Sequence, residues 1–144
     1  VGLNVPREVI AKVARDGFAS LTEAERKKLP PGLTCTLDET SRSFIRSTFT
    51  EHAHASGRSF EHFCEAQMVW DTAMAIYALE HLERNPGGRI VILAGSVHAW
   101  KRAIPRQIAT MRPDVTVSVI LPAQGGKGDR EKVTTEDADY LVLK

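Results

Sequence analysis

A histidine follows the most apolar run of the chain at a spacing that suggests a ligand site. Residues 90–94 are all apolar, the run stops at Gly95, and His98 comes three residues later. An apolar run with β-branched residues predicts a strand covered on both faces. Ligands of α/β proteins bind beyond the carboxyl ends of such strands. We therefore expect His98 to project into a crevice there, or else to cap the helix that follows.

Three basic residues, Lys101, Arg102 and Arg106, lie just after His98. Guanidinium groups present a fork of donors that matches a carboxylate or a phosphate. The cluster therefore predicts an anion clamp beside His98, with a solvated basic face as the alternative interpretation.

A second candidate site lies on the long helix predicted from residue 59 to about residue 84. Its apolar face carries Phe63, Met74 and Ala78, yet Gln67 and Asp71 lie in the same band, about 40° apart at 100° per residue. A buried carboxylate without a partner is costly. The face therefore either lines a pocket or gives Asp71 a cap or an arginine partner in the core.

The sequence patterns for metal, phosphate and serine-hydrolase sites are weaker. His52, His54 and His62 have no established zinc spacing, and the glycine-rich residues 125–128 lack the pattern of a phosphate-binding P-loop. The chain contains no Gly-x-Ser-x-Gly elbow of a serine hydrolase. The two cysteines are interpreted as buried free thiols.

Local signals define the elements that must position these residues. Asn4 and Pro6 predict a helix start, and Thr22 with Glu25 predicts a capping box. Asp38 and Ser59 are the other N-cap candidates. The expected helices cover residues 4–16, 22–29, 38–55, 59–84 and 105–111, and the expected strands cover residues 1–4, 90–94, 115–121 and 137–143.

This order of elements predicts an α/β fold with a partly parallel sheet flanked by helices, and with a helical insertion before the strand that leads to His98. We expect one domain over residues 1–144, helical over about 5–84 and strand-rich over about 89–144. Because the chain opens in mid-strand without an initiating Met, we expect it to be the C-terminal portion of a longer domain. The net charge of +1 argues against nucleic acid as a partner, and no apolar run reaches the length of a membrane span.

Four segments resemble the ChaN family of haem-binding proteins. Residues 65–75 resemble its AQ-x-x-W-D-x-x-M-A signature, and residues 91–98 resemble its strand with a G-x-x-H motif. Residues 103–106 and 2–7 resemble the segments that follow and precede these in the family. The order and spacing of the four segments make the resemblance specific.

The resemblance implies membership of a wider group that includes the Tiki proteins and erythromycin-esterase-like enzymes. It places Gln67, Trp70, Asp71, Gly95 and His98 on motif positions. ChaN is an envelope lipoprotein that holds two cofacial haems between protomers, with tyrosine on the iron and basic residues near the propionates. The tyrosines of this chain are Tyr77 and Tyr140, and Lys101, Arg102 and Arg106 are the corresponding basic candidates.

The leading hypothesis is therefore a haem-binding or iron-uptake domain that forms a homodimer in the cell envelope or periplasm. One alternative is a divalent-metal-dependent hydrolase of the Tiki or erythromycin-esterase type, with His98 as a ligand or base. The other is a non-catalytic module that binds a small ligand or a partner. Whether the chain is an enzyme stays open at this point.

Overall fold

The computed structural model describes residues 1–52, 59–123 and 133–143. They fold into two compact units, Val1–Ile90 and Val91–Lys144. The boundary falls where the sequence changes from its helical to its strand-rich region. The elements, in chain order, are α1 (Arg7–Asp16), a 3-10 turn (Phe18–Ser20), α2 (Glu23–Arg26), α3 (Glu39–His52), α4 (Phe60–Arg84), α5 (Ser96–Ala99), α6 (Ile104–Met111), β1 (Ile120–Pro122) and β2 (Tyr140–Val142).

The first unit is built on the packing of α1 against α4. Val9, Ile10 and Val13 recur at helical spacing on α1, and they form one buried cluster with Val69 and Ala73 of α4. Full burial of a side chain of this size stabilises the fold by about 1.5–3 kcal/mol. The helix α3 also packs on α4, which makes α4 the central element of this unit.

Helix α4 is buried around most of its circumference. Eleven of its residues are buried, among them Cys64, Met68, Asp71 and Leu79. A helix that is apolar on nearly all sides is typical of a buried position. Within the described ranges, no helix combines the length and the hydropathy that a bilayer span requires.

The local cap predictions are mostly confirmed. The Thr22 side chain accepts from the Glu25 backbone N–H while the Glu25 carboxylate accepts from the Thr22 backbone, which completes the capping box. The Ser59 side chain caps α4, and Asp38 Oδ1 accepts from Ser41 N at 2.8 Å. The prediction for Asn4 is wrong, because Pro6 occupies the N-cap position of α1.

The sheet is smaller than predicted. In the described residues, β1 and β2 form a two-stranded parallel sheet, with Ile120 opposite Tyr140 and Leu121 opposite Leu141. The chain is thus mostly helical with a small parallel sheet, which is consistent with α/β character. The ladder contains only residues 120 and 121 of the predicted strand 115–121 and residues 140–142 of the predicted strand 137–143.

The prediction of a covered central strand at residues 90–94 is wrong. No described residue pairs with this segment in a sheet, and its Val91 and Leu93 side chains are 85% and 94% exposed. A strand requires a neighbouring backbone to take its N–H and C=O groups, and apolar composition alone cannot supply one. Residues 1–4 likewise form no strand.

Candidate functional site

The His98 turn lies directly after the exposed apolar segment. His98 lies in the single-turn helix α5, and its backbone N–H donates to the Gly95 carbonyl at 2.9 Å. The imidazole stays close to Gly95, since a Cβ built on that glycine would lie 3.8 Å from His98 Cδ2. His98 as a whole is half-buried.

Apolar contacts attach the His98 turn to a buried cluster of the second unit. Ala99 and Trp100 pack against a buried cluster of Val119, Leu121 and Ala138. Two of these cluster residues flank Ile120 at the start of β1. The residues that follow His98 are therefore anchored to the sheet.

The predicted clamp cations Lys101 and Arg102 lie close to carboxylates of the second unit. Lys101 Nζ lies 2.6 Å from Asp139 Oδ1 and donates to the Thr135 carbonyl at 2.8 Å. Arg102 Nε lies 3.5 Å from Asp137 Oδ1. The charges of Lys101 and Arg102 are thus compensated by carboxylates, Arg106 lies half-buried on α6, and the anion clamp stays a prediction.

The two aspartates were not identified as site residues from the sequence. Asp137 Oδ2 accepts from the backbone and hydroxyl of Thr134 at 3.0 and 2.9 Å. Asp139 Oδ2 accepts from Val119 N at 2.8 Å. The hydrogen bond from Lys101, and then that from the Val119 backbone, hold the pKa of Asp139 below its usual range. The signal that the sequence offered for these aspartates was their spacing, two residues apart, in the same unit as the adjacent cations Lys101 and Arg102.

The α4 candidates belong to the first unit. Asp71 is buried, at 8% exposure, whereas Gln67, Trp70 and Tyr77 are half-buried. Trp70 Nε1 donates to Asn4 Oδ1, which explains why Asn4 does not cap α1. Tyr77 packs against the α1–α4 cluster, and burial raises the pKa of its phenol. The four residues share one helix, while Gly95, His98 and the three cations belong to the second unit.

The described part of the chain contains no ligand cluster that supports the hypothesis of a divalent-metal-dependent hydrolase. Among those residues, no group of three or more His, Cys, Asp or Glu side chains is placed to hold a metal ion. His62 Nδ1 lies 3.0 Å from the Arg15 carbonyl. The His52 side chain, His54 and the glycine-rich residues 125–128 lie outside what the structure describes.

The two cysteines are free thiols, as predicted. Cys64 is fully buried and Cys35 is half-buried. Burial raises the pKa of the Cys35 thiol to about 12 and that of the Cys64 thiol to about 11. Because the thiolate is the reactive form, both cysteines act as small apolar side chains.

Comparison with known families shows which family the chain belongs to. The family model described as haem-binding uptake, Tiki superfamily, ChaN matches residues 1–108, which is three quarters of the 144-residue chain. The match includes Gly95, His98 and Arg106, and it ends within α6. Asp137 and Asp139 lie beyond it. No curated protein and no solved structure matches the chain.

Proposed function

We propose, from the premise that this chain belongs to the ChaN family of haem-binding uptake proteins in the Tiki superfamily, that it binds haem at the His98 turn. The observation that carries the proposal is the family match over residues 1–108, which includes the G-x-x-H motif. The resemblance found in the sequence is confirmed by that match, and the ligand itself is the step proposed.

The residues around His98 fit the chemistry of haem. Haem is a flat apolar macrocycle with an iron that takes axial ligands, and histidine is among the residues that ligate it. His98 offers an imidazole that is half-buried. Val91 and Leu93 offer exposed apolar surface in the same unit. A soluble domain gains free energy when such surface is covered.

The roles of the individual residues follow from their chemistry. In the proposal, His98 meets the iron, Val91 and Leu93 contact the macrocycle, and Arg106 pairs with a propionate. Lys101 and Arg102 keep their aspartate partners and hold the turn. Bound haem would supply an iron centre, which His98 would hold.

The remaining sequence predictions belong to the same proposal. The positions Gln67, Trp70 and Asp71 come from the resemblance, as do the homodimer and the envelope or periplasmic location, whereas Tyr77 is a candidate as one of the two tyrosines of the chain. The haem site is tested first, through His98.

A haem titration followed by absorbance tests the proposal. We expect a saturable Soret shift in the wild type and a loss of affinity of about tenfold or more in His98→Ala, because removal of ligating groups costs at least as much as removal of their supporting partners. His81→Ala is the matched control, since His81 is also half-buried but lies near the end of α4 in the first unit. Absence of saturable binding, or equal affinity in both variants, would sink the proposal.

A further inference from the structure

The residues that follow His98 are held one after another by the segment before β2. Ala99 and Trp100 make the apolar contact with the Val119 cluster. Lys101 then donates its backbone N–H to the Asp137 carbonyl at 2.9 Å and its ammonium to Asp139 at 2.6 Å. Residues 99–101 are therefore attached to the Val119 cluster and to the segment before β2.

Asp139 joins three parts of the second unit through one carboxylate. One oxygen takes the Lys101 ammonium, and the other takes the Val119 N–H at 2.8 Å just before β1. The Asp139 backbone N–H also donates to the Val119 carbonyl at 3.0 Å. Charge-assisted bonds of this length are stronger than neutral ones, and the two side chains are only 31% and 32% exposed, which limits screening by solvent.

Asp137 supports the same arrangement from its own turn. Its carboxylate accepts twice from Thr134 and lies near Arg102, and it is buried. These bonds fix the carbonyl that receives the Lys101 N–H. Residues 134–139 therefore hold the His98 turn in place, and we call this segment the acidic clasp.

We propose that Asp139, supported by Asp137, is a positioning residue that orients the His98 turn for ligand binding. The inference rests on the proposed function, because the ligand that His98 receives is haem in that proposal. The acidic clasp lies beyond residues 1–108, which match the family. Outer partners that orient a metal-ligating histidine change metal affinity about 10–100-fold when they are removed. Since Lys101 lies three residues from His98, we expect the lower end of that range.

The test compares Asp139→Asn with Asp114→Asn in haem titration. Asp139→Asn keeps an oxygen for the Val119 N–H but removes the charge that Lys101 meets. Asp114 forms an ion pair with Arg112 at 2.8 Å in the same unit, so Asp114→Asn controls for the loss of one carboxylate. We expect about tenfold weaker haem binding and a shifted Soret maximum in Asp139→Asn, and wild-type values in Asp114→Asn.

Hydrogen exchange of the haem-free protein separates this inference from the proposed function. The amides of residues 98–102 should exchange faster in Asp139→Asn than in the wild type and in Asp114→Asn. If the wild type binds no haem, the proposed function is wrong. If, in addition, residues 98–102 exchange equally fast in Asp139→Asn and in the wild type, the acidic clasp does not hold the His98 turn and the inference is overturned as well. If the wild type binds haem, equal affinity and an equal Soret maximum in Asp139→Asn overturn the positioning role.

Discussion

A single methyl group added at Gly17 should strongly destabilise the first unit. Its φ of 87° and ψ of 160° lie in a region that is essentially restricted to glycine. A Cβ at this position would lie 3.0 Å from His62 Nε2 and 3.1 Å from Glu65 Oε2. The same Glu65 oxygen accepts from Phe18 N at 2.7 Å, so any movement that relieves the contact weakens this hydrogen bond.

Two costs add up in Gly17→Ala. The backbone conformation costs about 1–3 kcal/mol for a residue with a Cβ. Loss of a hydrogen bond to a charged group costs about 1.5–3 kcal/mol. We therefore expect the free energy of unfolding to fall by about 2.5–6 kcal/mol, which is a large part of the about 5–15 kcal/mol that holds a domain folded.

Urea unfolding followed by circular dichroism measures this effect. Gly32→Ala is the matched control, because Gly32 also has a positive φ of 77° but no atom lies within 4 Å of its added Cβ. It should therefore lose only the backbone term, about 1–2 kcal/mol. The difference between the two variants reports the contact with His62 and Glu65.

Equal destabilisation in the two glycine variants would refute the reasoning, since the contact would then cost nothing. If Gly17→Ala does not fold, Glu65→Ala supplies a milder test. It frees the Phe18 N–H and should lower the free energy of unfolding by about 1.5–3 kcal/mol.

Two further predictions concern the same unit. Val69→Ala removes two carbons from a side chain that is 0% exposed. At about 0.8 kcal/mol per buried CH₂ plus a cavity term, the free energy of unfolding measured in urea should fall by about 2 kcal/mol or more. A fall of less than half of that would contradict tight packing between α1 and α4. Bonds from Lys12, and then from Thr22, lower the pKa of Glu25 from 4.5 to about 2, so its contribution to stability is present above pH 4.5 and is lost as the pH falls towards 2. Thermal unfolding of Glu25→Gln should accordingly show a weaker loss of stability over this acid range than the wild type, and identical acid profiles would contradict the Lys12–Glu25 pairing.

The helix starts were predictable because their chemistry is local. The capping box of Thr22 and Glu25 and the cap of Ser59 connect residues that are three apart, so their sequence spacing contains the geometry. Asn4 is the exception. It has the residue type of a cap, but a tryptophan 66 residues away takes its oxygen.

The strand at residues 90–94 and the role of the cations could not be read in the same way. Sheet pairing depends on a neighbour that is distant along the chain, and an apolar run does not identify that neighbour. The Lys101 and Arg102 partners follow 38 and 35 residues later, at Asp139 and Asp137. The sequence shows that Lys101 and Arg102 lie near His98, but only the fold determines which side chains these two cations contact.

The measurement that tests the central claim most directly is a haem titration of the chain, followed by absorbance and by mass in solution. The account predicts a saturable Soret shift that is lost in His98→Ala and retained in His81→Ala, with dimer formation as haem is added. No saturable shift in the wild type, or full binding by His98→Ala, would contradict it.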